Sequence, residues 1–279
     1  MTVTIRAAGR EGLTLMSEWA AREGWNPGLS DALAFHAADP GGYLLAEDAG
    51  EAVGCISAVR QGPGHGFIGF YIVREDRRGQ GIGLKLWQEA MARLAGRVIG
   101  LDGVVAQQAN YARSGFQMGW RNIRYGAVHP RPVRRWAGEI VPVSSLPFSA
   151  VLELDASVLP APREAFLRAW LDAPQHRSLV ALRHGAPVAF GTLRPSHEGA
   201  RIGPLTATDA CAARALFDAL IEGQDGPVFL DLPEPNQMAR ELAEAAGMTP
   251  VFETARMYAG PQPALALDRI FGLASFELG

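Results

Sequence analysis

Short stretches of this sequence recur in the same order about 130 residues apart, and that duplication limits the possible folds more than any single motif. Leu-Leu-Ala-Glu at Leu44 is echoed by Leu-Val-Ala-Leu at Leu179, and Ala-Val-Gly at Ala52 by Ala-Phe-Gly at Ala189. Leu101-Asp102 is echoed by Leu230-Asp231, Gly115-Phe116 by Gly247-Met248, and Arg124-Tyr125 by Arg256-Met257-Tyr258. Each match alone is cheap, but a shared order at nearly constant offset is not. The period is too long for a solenoid, so it implies two copies of one domain-sized topology. A chain of 279 residues, 48% hydrophobic and 20% charged, can bury two cores of that size. The stretch from His129 to Pro147, rich in proline and arginine, reads as a linker. It divides residues 1–137 from residues 138–279, the second copy having its core at about 150–260.

The first copy alternates element types. Val3 to Arg6 reads as a strand and Glu11 to Glu23 as a helix; Asn26-Pro27-Gly28 reads as a turn, and Ser30-Asp31 as the cap of a second short helix. Strands follow at Tyr43–Glu47, Ala52–Val59 and Phe67–Val73. A helix is expected over Leu84–Ala95, with Leu84, Trp87, Met91 and Leu94 on its apolar face and Lys85, Glu89 and Arg93 in solvent. A strand at Val98–Leu101 precedes a short helix that carries Tyr111 and ends at Gly115. The order is mixed α/β.

The sharpest local signal is Arg78-Gly79-Gln80-Gly81-Ile82-Gly83, after a buried strand and directly before an amphipathic helix. Glycines let the backbone tilt several N–H groups toward one point, and the helix that follows adds its unpaired first-turn amides and the positive end of its dipole. Arg78, with Arg77 or Arg74, supplies full charge. That combination suits a diphosphate. A dinucleotide fingerprint is the competing reading, with Asp102 at a strand end further on. It fails because Leu84 stands where the third glycine belongs and Gly79 lies six positions after Val73, too far for a tight strand-to-glycine turn.

Val73 to Gly83, taken with Tyr-Ala-Arg-Ser-Gly-Phe at Tyr111–Phe116, resembles the GNAT superfamily of acyl-CoA-dependent N-acyltransferases. The resemblance covers nearly all of residues 1–128 and extends more weakly over the second copy; the whole is similar to bacterial tandem-GNAT proteins. It implies two domains in tandem, each a mixed, mostly antiparallel central sheet flanked by helices. It implies acetyl-CoA as acyl donor, coenzyme A as product and no metal. Tyr71, Ile72 and Val73 would line the pantetheine arm through backbone atoms, an oxyanion-type contribution. Residues Arg78, Gly79, Gln80, Gly81, Ile82, Gly83 and Leu84 would surround the pyrophosphate, with Asn110 beside the cofactor. Tyr111 would protonate the departing thiolate. A phenol near pKa ~10 is a weaker acid than a thiol near ~8.5, so this acid helps without being indispensable. Trp25, Asn26, Phe35 and His36 fall in the region that borders the acceptor in relatives, although Phe35 and Trp25 also read as core and His36 as a packed histidine. Arg131, Arg134 and Arg135 could reach a ribose phosphate or simply belong to a solvated linker.

An ammonium near pKa ~10.4 is neutral only about once in a few thousand molecules at pH 7, so an amine acceptor needs a base. No carboxylate stands on the Phe67–Val73 strand, and no base can be named. Asp102 is a candidate, but its echo Asp231 persists in the copy that lacks the other chemistry, which favours a structural role. In that copy Leu205-Thr206-Ala207-Thr208-Asp209 stands where the glycine loop should be, and Ala243 where Tyr111 should be. The second copy is expected to be degenerate, completing the acceptor pocket or replacing a dimer partner.

A formal charge of -3 and a pI near 6.1 offer no basic field for nucleic acid or anionic membrane. No segment reads as a signal peptide or membrane span, and Cys55 and Cys211 read as small buried hydrophobes and not as a disulfide or metal pair. The expectation is a cytoplasmic enzyme, monomer or homodimer, transferring acetyl from acetyl-CoA to a small-molecule primary amine by direct attack in a ternary complex. A non-catalytic acyl-CoA sensor and an NAD-dependent oxidoreductase are the alternatives. A Tyr111→Phe change without effect would favour the first, and stabilisation by NAD the second.

Overall fold

Residues 51–61, 65–73 and 98–104 are rich in β-branched and aromatic side chains, and each forms a strand buried along most of its length, as expected for a sheet covered on both faces. The computed structural model describes residues 3–132, 136 and 138–279, so Arg134 and Arg135 lie outside the described residues. The first copy runs β1 (Thr4–Ala7), α1 (Gly9–Arg22), α2 (Asp31–Ala38), β2 (Tyr43–Asp48), β3 (Glu51–Gln61), β4 (His65–Val73), α3 (Ile82–Arg93), β5 (Val98–Val104), α4 (Gln108–Arg113), β6 (Gln117–Val128). The second repeats this order with β7 (Glu139–Pro142), α5 (Phe148–Ala156), α6 (Glu164–Leu171), β8 (Arg177–Arg183), β9 (Ala186–Pro195), β10 (Ala200–Ala207), α7 (Ala210–Ile221), β11 (Pro227–Pro233), α8 (Gln237–Ala245), β12 (Thr249–Ala259). A short extra strand, β13 (Ile270–Gly272), follows.

All of these strands join one mostly antiparallel sheet in the order β1-β2-β3-β4-β5-β12-β6-β11-β10-β9-β8-β7, with β13 on β10. The two copies have exchanged their last long strands. β12 pairs with β5 of the first copy, β6 pairs with β11 of the second, and β6 and β12 pair with each other at the centre. The exchange is locked by two equivalent ion pairs between residues directly opposite in register. Arg256 donates to both oxygens of Asp102 at 2.8 Å, and Arg124 to both oxygens of Asp231 at 2.6 and 2.9 Å. The echoes of Leu101-Asp102 and Arg124-Tyr125 are therefore the two halves of one lock used twice.

The cores follow the exchange. Ala255 and Met257 of β12 pack with Leu86 and Ala90 of α3, while Ile123 and Tyr125 of β6 pack with Leu216 and Leu220 of α7. A third core is shared by both copies: Phe35 of α2 lies 5.7 Å from Phe70, and 6.5 Å from both Phe166 and Trp170 of α6.

Several local expectations need correction. The buried face of α3 is the i, i+4 row Ile82, Leu86 and Ala90, continued by Leu94 as expected, and Leu84, half a turn from Ile82, is 60% exposed because that row and not its own faces the sheet. Arg93 is half-buried and bound to Asp39. The linker contains β7, which extends the sheet edge on β8. Cys55 is buried but Cys211 is exposed in the first turn of α7. Ser30 makes no capping bond at α2, where Asp31 instead accepts from Gly28 N–H and pairs with the buried Arg194. No helix among the described residues is long and apolar enough to cross a membrane.

Candidate active site

Against β3, Gly69 lies opposite Ser57 and Ile72 opposite Cys55, so Phe70 and Tyr71 together face Ile56. This is a β-bulge, which bends its strand and increases its twist. Phe70 takes φ +47°, a left-handed conformation that costs a non-glycine residue roughly 1–2 kcal/mol. Its buried ring, and the Cys55 thiol donating to its carbonyl at 3.1 Å, hold it there. The consequence is a splay. β4 pairs in parallel with β5 only over His65–Ile68, and beyond Ile68 the strands part. The opening is a cleft of about 580 Å³ whose walls include Gly69, Phe70 and Tyr71 on one side, Leu101, Asp102 and Val104 on the other, and Tyr111, Trp25, Phe252, Thr254, Phe276 and Glu277 around them.

The glycine loop enters α3 above this opening. Gly79 and Gly81 take φ +76° and +78° with open space where a Cβ would stand, so backbone conformation and not packing demands glycine there. Gly81 is the N-cap and no side chain caps the helix, which leaves the first amides, those of Ile82, Gly83 and Leu84, as unused donors. A Cβ on Gly83 would meet the Tyr71 hydroxyl at 2.7 Å. Arg78 donates from Nε to the Val73 carbonyl at 3.0 Å and pairs with Glu23 at 2.7 Å; Gln80 donates to the Asp76 carbonyl. Arg74 pairs with Asp76 and Glu51, and Arg77 with Asp48, while Arg78 is the loop arginine that bonds back to the strand end at Val73. These donors suit the diphosphate of an acyl-CoA.

Tyr111 stands on α4 across the cleft, its ring stacked 5.5 Å from Trp87, which in turn lies 5.6 Å from Tyr71. Burial, with a smaller push from Tyr71, raises its phenol well above the ordinary 10.0, so the group keeps its proton near neutral pH and has one to donate. Neighbouring Asn110 is exposed and donates to Gln107 at 2.6 Å. Tyr71 lines the cleft, while Ile72 and Val73 continue the strand toward the loop, Ile72 with its side chain in the shared core.

Of the four residues expected near the acceptor, Trp25 lines the cleft. Phe35 is wholly buried behind Phe70, and Asn26 holds the backbone of Glu198 through both atoms of its amide. His36 is half-buried on α2 and is not part of the cleft wall. Asp102 lines the cleft but is fully occupied, by Arg256 and by Asn122 at 2.7 Å. Glu277, Phe252 and Phe276 went unread in the sequence because they arrive from the second copy. The available signal was a single acid inside the apolar run Phe271–Leu278. Among the described residues no cluster of three or more His, Cys, Asp or Glu side chains could hold a metal ion.

The equivalent place in the second copy is closed. β10 bulges at Gly203-Pro204 and parts from β11 after Ile202, but β13 lies in the gap, paired with β10 at Leu205 and Thr206. The N-terminus of α7 is capped by Asp209, whose carboxylate accepts from the amides of Cys211 and Ala212 at 3.0 Å. Ala243 is buried.

Residues 11–116 match the profile of the acetyltransferase (GNAT) family, and residues 151–272 match that of an acetyltransferase (GNAT) domain. Holothin acyltransferase of Pseudoalteromonas sp. (strain SANK 73390) is 29% identical over 280 residues, covering 100% of this chain and 95% of its own. A Pyrococcus horikoshii protein described as a candidate acetyltransferase superposes with TM-score 0.85 at 24% identity, over 99% of this chain and 96% of that one. A tandem GNAT protein from the clavulanic acid biosynthesis pathway gives TM-score 0.65 at 16% identity, over 94% and 100%. Fold and family together define an acyltransferase built from two domains in tandem. The chain belongs to the GNAT superfamily, and both of its halves do.

Proposed function

We propose that this protein transfers an acetyl group from acetyl-CoA to the primary amine of a small molecule, both bound at once in the cleft between β4 and β5. The observation that carries this reading is adjacency: the uncapped, glycine-led N-terminus of α3 abuts the Tyr71 hydroxyl at Gly83, and Tyr71, on the splayed strand, lines one cleft with the half-buried phenol of Tyr111. The amides after Gly81, with Arg78, hold the diphosphate, and the backbone of Tyr71–Val73 lines the pantetheine arm. Acetyl-CoA supplies an activated thioester, and Tyr111 gives its proton to the leaving sulfur. Cys55 is no covalent relay, since burial raises its thiol far above the usual range. A small acceptor agrees with the enclosed, largely apolar cleft and with likeness to a relative named for acylating holothin. Residues 1–137 hold the cofactor and Tyr111; residues 138–279 supply one wall of the cleft and the strand β12. Two free cysteines suit the reducing cytoplasm.

The test is calorimetric titration with coenzyme A followed by thiol release from acetyl-CoA in the presence of primary amines. Binding with amine-dependent release is expected. A protein without affinity for coenzyme A would end the reading.

A further inference from the structure

Beyond Gly272 the chain runs from the closed groove of the second copy to the open cleft of the first, and it is tied down along the way. Leu273 N–H donates to the Asp231 carbonyl at 2.7 Å, Arg194 donates to the Ala274 carbonyl at 2.8 Å, and Gln61 donates to the Leu278 carbonyl at 2.7 Å. Glu277 is thereby held against the β4 bulge so closely that a Cβ on Gly69 would overlap its main-chain carbonyl. The residue is 3% exposed and forms part of the cleft wall, yet no other residue hydrogen-bonds to either carboxylate oxygen. An unpaired buried carboxylate is costly, and one kept in a cleft needs a reason to be there.

We propose that Glu277 is the general base of the transfer: it receives the ammonium of the acceptor in the cleft and removes the proton that blocks attack. The proposal rests on the acetyltransferase reading above. The balance is simple. The ammonium gives one proton to the Glu277 carboxylate, the freed nitrogen lone pair forms the C–N bond as the C–S bond breaks, and the sulfur takes the Tyr111 proton. The second proton on nitrogen returns to the tyrosinate, and Glu277 releases its own to solvent. The other carboxylate on the cleft wall, Asp102, already accepts from Arg256 through both oxygens and from Asn122.

The charged surroundings fit a base. Burial raises the pKa of Glu277 above its ordinary 4.5, Asp31 adds to that, and Arg201 and Arg124 oppose it. Both arginines are committed to Asp231 and Asp31 to Arg194, so none of them forms an ion pair with Glu277. Tyr71 and Tyr111 face the cleft as neutral phenols. A carboxylate raised toward neutrality is a better proton acceptor than a surface glutamate. Trp25, Phe252 and Phe276 flank it, so the acceptor it serves is an amine on a compact apolar body.

Glu277→Gln keeps the shape and removes the base. With acetyl-CoA and 2-phenylethylamine as probes, kcat/KM falls about 100-fold or more while the Kd for coenzyme A is unchanged. The acidic limb of the wild-type pH–rate profile, set above pH 4.5 by Glu277, disappears in the variant. Because the folded state prefers the protonated acid, the charged form destabilises it as pH rises, and Glu277→Gln raises Tm at neutral pH by about 2–4 °C. A structural glutamate would do the opposite. An infrared-detected pH titration decides without any acceptor: a carboxyl band, missing from Glu277→Gln, that titrates above the ordinary glutamate value of 4.5 supports the assignment, and a glutamate that titrates like a surface group overturns it. Unchanged turnover in the variant, or a Tm and coenzyme A affinity that fall together, also overturns it. Wild-type protein that fails to bind coenzyme A would instead sink the underlying acetyltransferase reading.

Discussion

The N-termini of α3 and α7 occupy equivalent positions in the two copies and have opposite chemistry. At α3 two left-handed glycines and an empty cap leave amide donors facing outward; at α7 Asp209 turns its own carboxylate onto the same amides and pairs with Arg183 at 2.8 Å. The first arrangement is poor for stability, since glycine costs entropy and orphan donors gain nothing until an anion arrives. The second is an ordinary good cap, contributing about 1 kcal/mol. Likewise the splay beside β4 is a cleft, and the splay beside β10 holds β13. The fold does not require the groove; one copy filled and capped it, and the other left it open.

The contrast can be broken most severely by separating the copies. Residues 1–137 expressed alone lose β12 from the edge of β5 and bare the shared core around Phe35 and Phe70, so circular dichroism should show no cooperative melt; adding residues 138–279 in trans should restore it. Full stability of the fragment would mean that the strand exchange is incidental. Next in size is the lock. Asp231→Asn strands Arg124 and Arg201 in the core and should cost about 3–5 kcal/mol in denaturant melts. Burial alone would raise Asp231, but those two guanidiniums hold it down at about 2. A depressed acid stabilises the fold above its unfolded value near 3.8 and loses that contribution as pH falls toward 2. That acid sensitivity, worth about 2 kcal/mol, should be absent from the variant.

A smaller effect is expected at the open cap. Gly81→Val forces a β-branched residue into φ +78° and turns the amides aside, so coenzyme A should bind at least about tenfold more weakly, by calorimetry, with little change in fold. The converse change, Asp209→Gly, should create no second site, because β13 still fills the groove. The smallest is Tyr111→Phe, expected to lower kcat about tenfold with coenzyme A affinity intact, since in the proposed transfer the phenol acts only while charge develops on sulfur.

How far the sequence could be read depended on whether the signal was local. The strand–loop–helix around Gly79–Gly83 and the short helix at Tyr111 were legible because backbone conformation and capping are set by a few neighbouring residues. The duplication was legible too, but not its use: Asp102 and Asp231 each look alike beside their own strand, and nothing nearby reveals that each finds its arginine on a strand of the other copy. Phe35 and Asn26 were read toward the acceptor, whereas packing across the copies claims both, Phe35 under Phe70 and Asn26 against Glu198. The carboxylate at 277 could not be associated with Tyr111 at a separation of this length, since only the folded path of residues 273–279 brings them to one cavity.

β13 and the seven residues after it are one continuous, firmly tethered ribbon whose two ends serve different grooves. Any drift that pulled the ribbon free to let a ligand enter the second copy would also strip the wall from the first. Such a protein is confined to a single workplace by its own wiring, and a doubled gene here yields one better-enclosed reaction chamber instead of two.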